Sequence, residues 1–181
     1  GNNYYITYTA ASYYPPIVPG QHSRALSGLP GEGAPWRVRV SLAHTDDFRN
    51  FTRHGIIITH IDSKDGTLFP ERFGDEYVLV HRVYPHMRLV VSEDLHRFRE
   101  RGVFLWPRPG KWDNERVGGG SQPLRTPYGW LIVYHAMDDS HIYRLGFLVT
   151  DFRDPSRILV RSDEPILEPE ELYEKQGAMP N

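Results

Sequence analysis

Four basic or imidazole side chains stand at comparable places along this sequence. Lys64 lies in SKDGTLFPERF, Arg82 ends VLVHR, Arg116 lies in NERVGGG and His135 ends LIVYH. Guanidinium forks grip an oxyanion in bidentate fashion and a lysine adds a point charge, so these groups brought to one point make an oxyanion site. Each also has an ordinary reading. Arg82 and His135 close apolar strands, where a polar residue often marks the sheet's exit to solvent. Lys64 sits in a turn-like KDG, and Arg116 has Asp113 and Glu115 beside it as surface partners. Recurrence at equivalent places in successive repeats favours the chemical reading.

The stretch WDNERVGGGSQPL narrows the possibilities. A phosphate-binding P-loop needs Gly-x-x-x-x-Gly-Lys-Ser/Thr running from a strand into a helix. Ser121, Gln122 and Pro123 follow the glycines instead, with no helical period after them. A Gly/Ser linker would be longer and more polar. What remains is a backbone that passes close to something.

The elements that must position these residues read as short strands. Aromatic and β-branched runs predict strands at Tyr4–Thr9, Arg37–His44, Tyr77–Arg82, Arg88–Ser92, Trp130–His135 and Tyr143–Thr150, punctuated by Gly, Pro, Asn and Asp. Pro15 to Pro35 reads as a long surface loop, and EPEELYEKQG as one short helical turn. Three segments, GNNYYITYT, GDEYVLVHR and YGWLIVYHA, each precede a second strand that ends in an acid and a bulky apolar residue. Those endings are Asp47-Phe48, Asp94-Leu95 and Asp151-Phe152, at intervals of 47 and 57 residues. Such a repeat of antiparallel strands indicates an all-β chain of propeller blades, at about 1–54, 55–105 and 106–165, with the start of another at 166–181. A sandwich containing similar hairpins is the alternative. About three blades fit, fewer than the four to eight of a closed propeller, so the chain is expected to be a piece of a longer protein.

Bulk properties remove several classes. The 181 residues carry a formal net charge of −2 and a pI near 6.5, which lacks the basic footprint of nucleic-acid binding. Cysteine is absent, so there is neither a disulfide framework nor a Cys-based zinc site, and a cytoplasmic location is expected. No apolar run reaches membrane-spanning length.

At the residues already singled out, the sequence resembles the β-mannoside phosphorylases of glycoside hydrolase family 130. KDGTLFPERF, VLVHR, WDNERVGGGSQP, GWLIVYHA, YRLGFLVTDFRDPSRIL and EPILEPEELYEKQGAMPN carry the resemblance, which runs from GNNYYITYTA onward. It implies a five-bladed β-propeller that cleaves β-mannosides with inorganic phosphate, inverting to α-mannose 1-phosphate and a shortened sugar. It implies phosphate binding by Lys64, Arg82, Arg116 and His135, and a sugar contact from Asp65. No metal or organic cofactor is implied, phosphate being a co-substrate, and oligomerisation is common in the family. The family's proton donor is the Asp of an Asp-Pro-Arg motif just before the GxYYITYT strand. This sequence starts at that strand, so no residue in it is assigned the role. Asp65 and Asp113 are the nearby acids, and the piece alone is expected to be inactive. A hydrolase on the same scaffold and a non-catalytic carbohydrate-binding propeller are the alternatives.

Overall fold

The computed structural model describes residues 3–13 and 36–176. The loop expected at Pro15–Pro35 and the last five residues lie outside them. The described chain forms three antiparallel sheets. The first comprises β1 (Tyr4–Tyr13), β2 (Trp36–Thr45) and β3 (Thr52–Ile56), paired in that order. The second runs β4 (Lys64–Leu68), β5 (Tyr77–Val83), β6 (His86–Ser92) and β7 (Arg99–Leu105), again in chain order. In the third, β8 (Arg116–Gly119) and β9 (Leu124–Thr126) both pair with β10 (Gly129–Met137), followed by β11 (Tyr143–Thr150) and β12 (Ile158–Arg161). A single turn of helix, α1 (Leu172–Lys175), closes the described chain with a Glu171/Glu174 capping box, where EPEELYEKQG predicts one.

The recurring Asp-apolar pairs are turns. Asp47 Oδ1 accepts from the backbone N–H groups of Arg49 and Asn50, both at 2.8 Å. Asp94 Oδ1 does the same for His96 and Arg97 at 2.9 Å, and Asp151 Oδ1 for Arg153 and Asp154 at 2.7 and 3.2 Å. These are Asx turns, in which the carboxylate satisfies the backbone that the departing strand leaves unpaired. The donated bonds hold the carboxyls of Asp47 and Asp94 down at about 2. Each turn joins the next-to-outermost strand of a sheet to the outermost, making β2, β6 and β11 equivalent. By the same count β1, β5 and β10 are equivalent, and β4 and β8 are the strands that precede them.

Two apolar cores flank the second sheet. Leu79 and Val90 join Val40, Leu42, Ile57, Ile58 and Leu95 against the first sheet. Val78, Val80, Met87, Leu89 and Val91 join Val117, Trp130, Ile132, Tyr134 and Leu148 against the third. Alternating residues of β5 and β6 therefore enter opposite cores, which is why both strands read as nearly continuous apolar runs. Of the six strands expected from the sequence, β2, β5, β6, β10 and β11 enter these cores, while β1 is largely exposed. The inner strands β4 and β8 are short and polar or glycine-rich, KDGTL and RVGG.

Candidate functional site

The inner strands bring together all four expected cationic or imidazole groups, though not all from one strand position. Lys64 and Asp65 open β4 and Arg116 opens β8. Arg82 and His135 lie one strand further out, on β5 and β10. The apolar segments taken as blade starts are thus second strands. Register explains how the outer pair still reaches the site. Arg82 is the partner of Lys64 across β4–β5, and His135 is the partner of Gly118 across β8–β10.

Asp65 sits at the centre. Its Oδ2 is 3.1 Å from Arg82 Nε and 3.5 Å from His135 Nε2, and its Oδ1 is 3.9 Å from Lys64 Nζ. Arg82 NH1 lies 3.3 Å from His135 Nε2. Asp65 has φ of +54°, in the left-handed region that Asp and Asn tolerate better than other side chains. Two threonines of β1 brace this turn. Thr9 Oγ1 accepts from the Asp65 N–H at 3.4 Å, and Thr7 Oγ1 donates to the Gly66 carbonyl at 2.7 Å.

The triple glycine is explained by what surrounds it. A Cβ at Gly118 would stand 2.6 Å from His135 Nε2 and 2.8 Å from Asp65 Oδ2. One at Gly119 would stand 2.8 Å from Thr67 Oγ1 and 3.0 Å from the Asp65 carbonyl. Any side chain would therefore push apart the groups that meet there. At Gly120 the strand bulges, and the N–H groups of Gly120 and Ser121 both donate to the Val133 carbonyl, at 3.0 and 3.1 Å. The close approach read from the sequence is real, and the crowding comes from Asp65, Thr67 and His135.

Tyr143 belongs to the site and was missed. Its hydroxyl accepts from Arg116 NH2 at 2.5 Å, its ring lies under the same guanidinium at 5.2 Å, and it also hydrogen-bonds Arg82. Arg116 reaches it across Met137, whose sulfur accepts at 2.9 Å. Arg116, Met137 and Tyr143 are register partners across β8, β10 and β11. Only that register could have pointed to the tyrosine.

Electrostatics follow from crowding. Arg82 and Arg116 are each 3% exposed. Burial, aided by Arg82 and Arg116, pushes the Lys64 ammonium below its ordinary value, while Asp65 opposes the shift. Burial likewise lowers Arg82 and His135, with Asp65 opposing both shifts. Asp113 is not part of this cluster. It is fully buried and bound by Arg108, Arg161 and the Tyr134 hydroxyl, which removes it as a free acid. Glu115 accepts from the Tyr84 hydroxyl. A cleft of about 650 Å³ runs on from Asp65 between β1, Thr67–Pro70 and Gly119–Gln122.

The sequence matches the family Glyco_hydro_130, described as beta-1,4-mannooligosaccharide phosphorylase, over residues 32–181. The chain belongs to glycoside hydrolase family 130. Within family 130 it is 41% identical over 143 residues to a 1,2-beta-oligomannan phosphorylase of Thermoanaerobacter sp. strain X514, covering 79% of this chain and 48% of that protein. It is 37% identical to the beta-1,2-mannobiose phosphorylase of Listeria innocua. The structure of that enzyme with beta-1,2-mannobiose superposes with a TM-score of 0.74 over 78% of this chain and 41% of the other. A family 130 structure described among glycoside hydrolases that target beta-1,2 mannosidic linkages in Candida mannan matches with a TM-score of 0.70 at 21% identity, covering 78% of this chain and 50% of that one. The chain spans about half the length of the curated relatives it matches. Its three sheets are blades of the five-bladed propeller of family 130.

Proposed function

We propose that this chain supplies the phosphate side of the active site of an inverting β-mannoside phosphorylase. The observation that carries the reading is the convergence of Lys64, Arg82 and His135 around the Asp65 carboxylate on the first two strands of two adjacent blades, with Arg116 close enough to act on Lys64 and Arg82. Three cations against one anion leave a net positive cluster that matches a dianion. The named phosphorylase relatives support the same reading.

An inverting glycosidase needs a carboxylate base to activate water. Phosphate is already an anionic nucleophile, so the protein's task is to hold it on the face opposite the leaving group. As the bond from phosphate oxygen to the anomeric carbon forms, the bond from that carbon to the bridging oxygen breaks. The products are α-mannose 1-phosphate and the shortened sugar, whose oxygen takes up a proton from an acid. Arg82 and Arg116 supply directed donors, Lys64 a point charge, and Tyr143 braces both guanidiniums. Asp65, through the oxygen turned towards Lys64, contacts the mannosyl unit beside the anion. The test is product analysis of the complete protein on β-1,2- and β-1,4-mannobiose, with and without phosphate. Mannose 1-phosphate formed only with phosphate supports phosphorolysis. Free mannose released at the same rate in phosphate-free buffer would establish a hydrolase and sink the reading.

A further inference from the structure

We propose that His44, His54 and His96 form a proton-sensitive joint between the first two sheets, which loosens on acidification and frees the β1 braces of the Asp65 turn. The inference stands apart from the phosphate reading. The three residues come from β2, from β3 and from the turn after β6. His44 Nδ1 lies 2.6 Å from His54 Nε2, and their rings stack with centroids 4.8 Å apart. The His96 ring meets that of His54 edge-on at 5.0 Å. A contact between two ring nitrogens needs a hydrogen on one and a lone pair on the other. A proton added to the accepting nitrogen sets N–H against N–H and breaks the contact. Burial first, then His44 and His96, hold the His54 imidazole below its ordinary value of 6.5. The folded protein therefore takes up this proton less readily than the unfolded chain, and stability is lost as pH falls below that value.

The other groups around the trio do not relieve it. Tyr5 of β1 presents its ring to His44, with centroids 6.1 Å apart. Asp47 of the β2–β3 turn is engaged by Arg49 and Asn50. Asp94 favours a charge on His96, which adds to the repulsion at His54. Packing then carries the change to Asp65. Leu95, next to His96, is buried with Val40 and Leu42 in the core shared by the first two sheets. Val40 and Leu42 are the register partners of Thr9 and Thr7. The Asp65 N–H donates to Thr9, and Thr7 donates to the Gly66 carbonyl. A turn that swings away at His96 withdraws Leu95 and leaves the two threonines less firmly held.

The experiment is amide hydrogen exchange of the complete protein at about pH 7.5 and about pH 5.5, on either side of histidine titration. Rates are corrected for the intrinsic pH dependence of exchange, in wild type, His54→Gln and His96→Gln. In wild type, amides of β3, of the turn after β6 and of Asp65 should exchange about tenfold faster at the lower pH, the size expected for like charges about 5 Å apart near a surface. Those of β10 and β11 should not change. His54→Gln keeps a hydrogen-bonding side chain that takes no charge, so the difference should shrink to about twofold or less. His96→Gln, at an exposed turn position, should cut it to about threefold, and it decides the matter if His54→Gln does not fold. No difference in wild type overturns the joint. So does a difference that persists undiminished in the variants, even where exchange rises equally at both pH values, as a merely structural role would give. Faster exchange confined to β3 and the turn, with Asp65 unmoved, overturns the link to the braces.

Discussion

Two carboxylates in this chain are each surrounded by cations, and they do opposite things. Asp113 is sealed off. Its Oδ1 accepts from Arg108 Nε at 3.0 Å, and its Oδ2 from Arg161 NH2 at 2.6 Å and the Tyr134 hydroxyl at 2.9 Å. The arginines also donate to the backbone carbonyls of Ser162 and Trp106, Arg161 Nε donates to the Tyr134 hydroxyl, and Arg108 NH1 pairs with Asp163. Asp65 keeps an oxygen that is buried without a hydrogen bond, beside an arginine nitrogen in the same condition. The residue types are nearly identical, so composition does not separate a structural ion cluster from a binding site. What separates them is whether the hydrogen-bonding capacity closes within the protein.

That difference can be broken from either side. Asp113→Ala should have the largest effect, because it leaves Arg108 and Arg161 in a buried site without their anion. Loss of one partner of such a pair costs about 3–5 kcal/mol, to be read as a fall in the urea midpoint. A drop below about 1 kcal/mol would place the cluster among exposed ion pairs and end the contrast. Arg116→Ala should act on the ligand instead. Charge-assisted hydrogen bonds contribute about 1.5–3 kcal/mol, so the phosphate KM should rise roughly tenfold to 100-fold. An unchanged phosphate dependence would put Arg116 outside the anion site.

The sequence discloses the two regions unequally. Its six legible strands are β1, β2, β5, β6, β10 and β11, the two strands before the outermost of each sheet, and all but the exposed, aromatic-rich β1 send residues into apolar cores. The inner strands KDGTL and RVGG and the outer strands TRHGI, RERGVFL and ILVR are short, polar or glycine-rich and carry no sustained apolar period. The Asp47, Asp94 and Asp151 repeat was visible because an Asx turn needs a specific side chain at a fixed place. The cations at Lys64, Arg82, Arg116 and His135 were visible by type and by family resemblance. Their meeting point was not, because it depends on the registers Lys64 to Arg82 and Gly118 to His135. Tyr143 and the braces Thr7 and Thr9 stayed hidden for the same reason. Asp113 looked available because its two arginines lie 5 and 48 residues away in sequence.

Gly118→Ala sharpens the comparison at one methyl group. Its Cβ would stand 2.6 Å from His135 Nε2 and 2.8 Å from Asp65 Oδ2, so both side chains must shift. Displacement of a positioned binding group by a fraction of an ångström is expected to weaken phosphate by about tenfold. The Asp113 network does not touch this glycine, so the urea midpoint should move far less than in Asp113→Ala. Equal phosphate affinity in Gly118→Ala would show that the glycine serves backbone packing alone.

The smallest effect is a pH limb carried by Lys64. Burial first, then Arg82 and Arg116, hold its ammonium below the ordinary lysine value of 10.5. A lowered value means that the proton leaves sooner as pH rises. Phosphate affinity should therefore weaken on the alkaline side before a free lysine would titrate, by a few-fold, because one of three cations loses its charge. Lys64→Arg keeps its charge across that range, and its affinity should stay level there. The Asp113 cluster contains two arginines and no lysine, so the urea midpoint should not follow the same limb. If the limb persists in Lys64→Arg, the titrating group lies elsewhere, and Lys64 does not contribute its charge to the anion site.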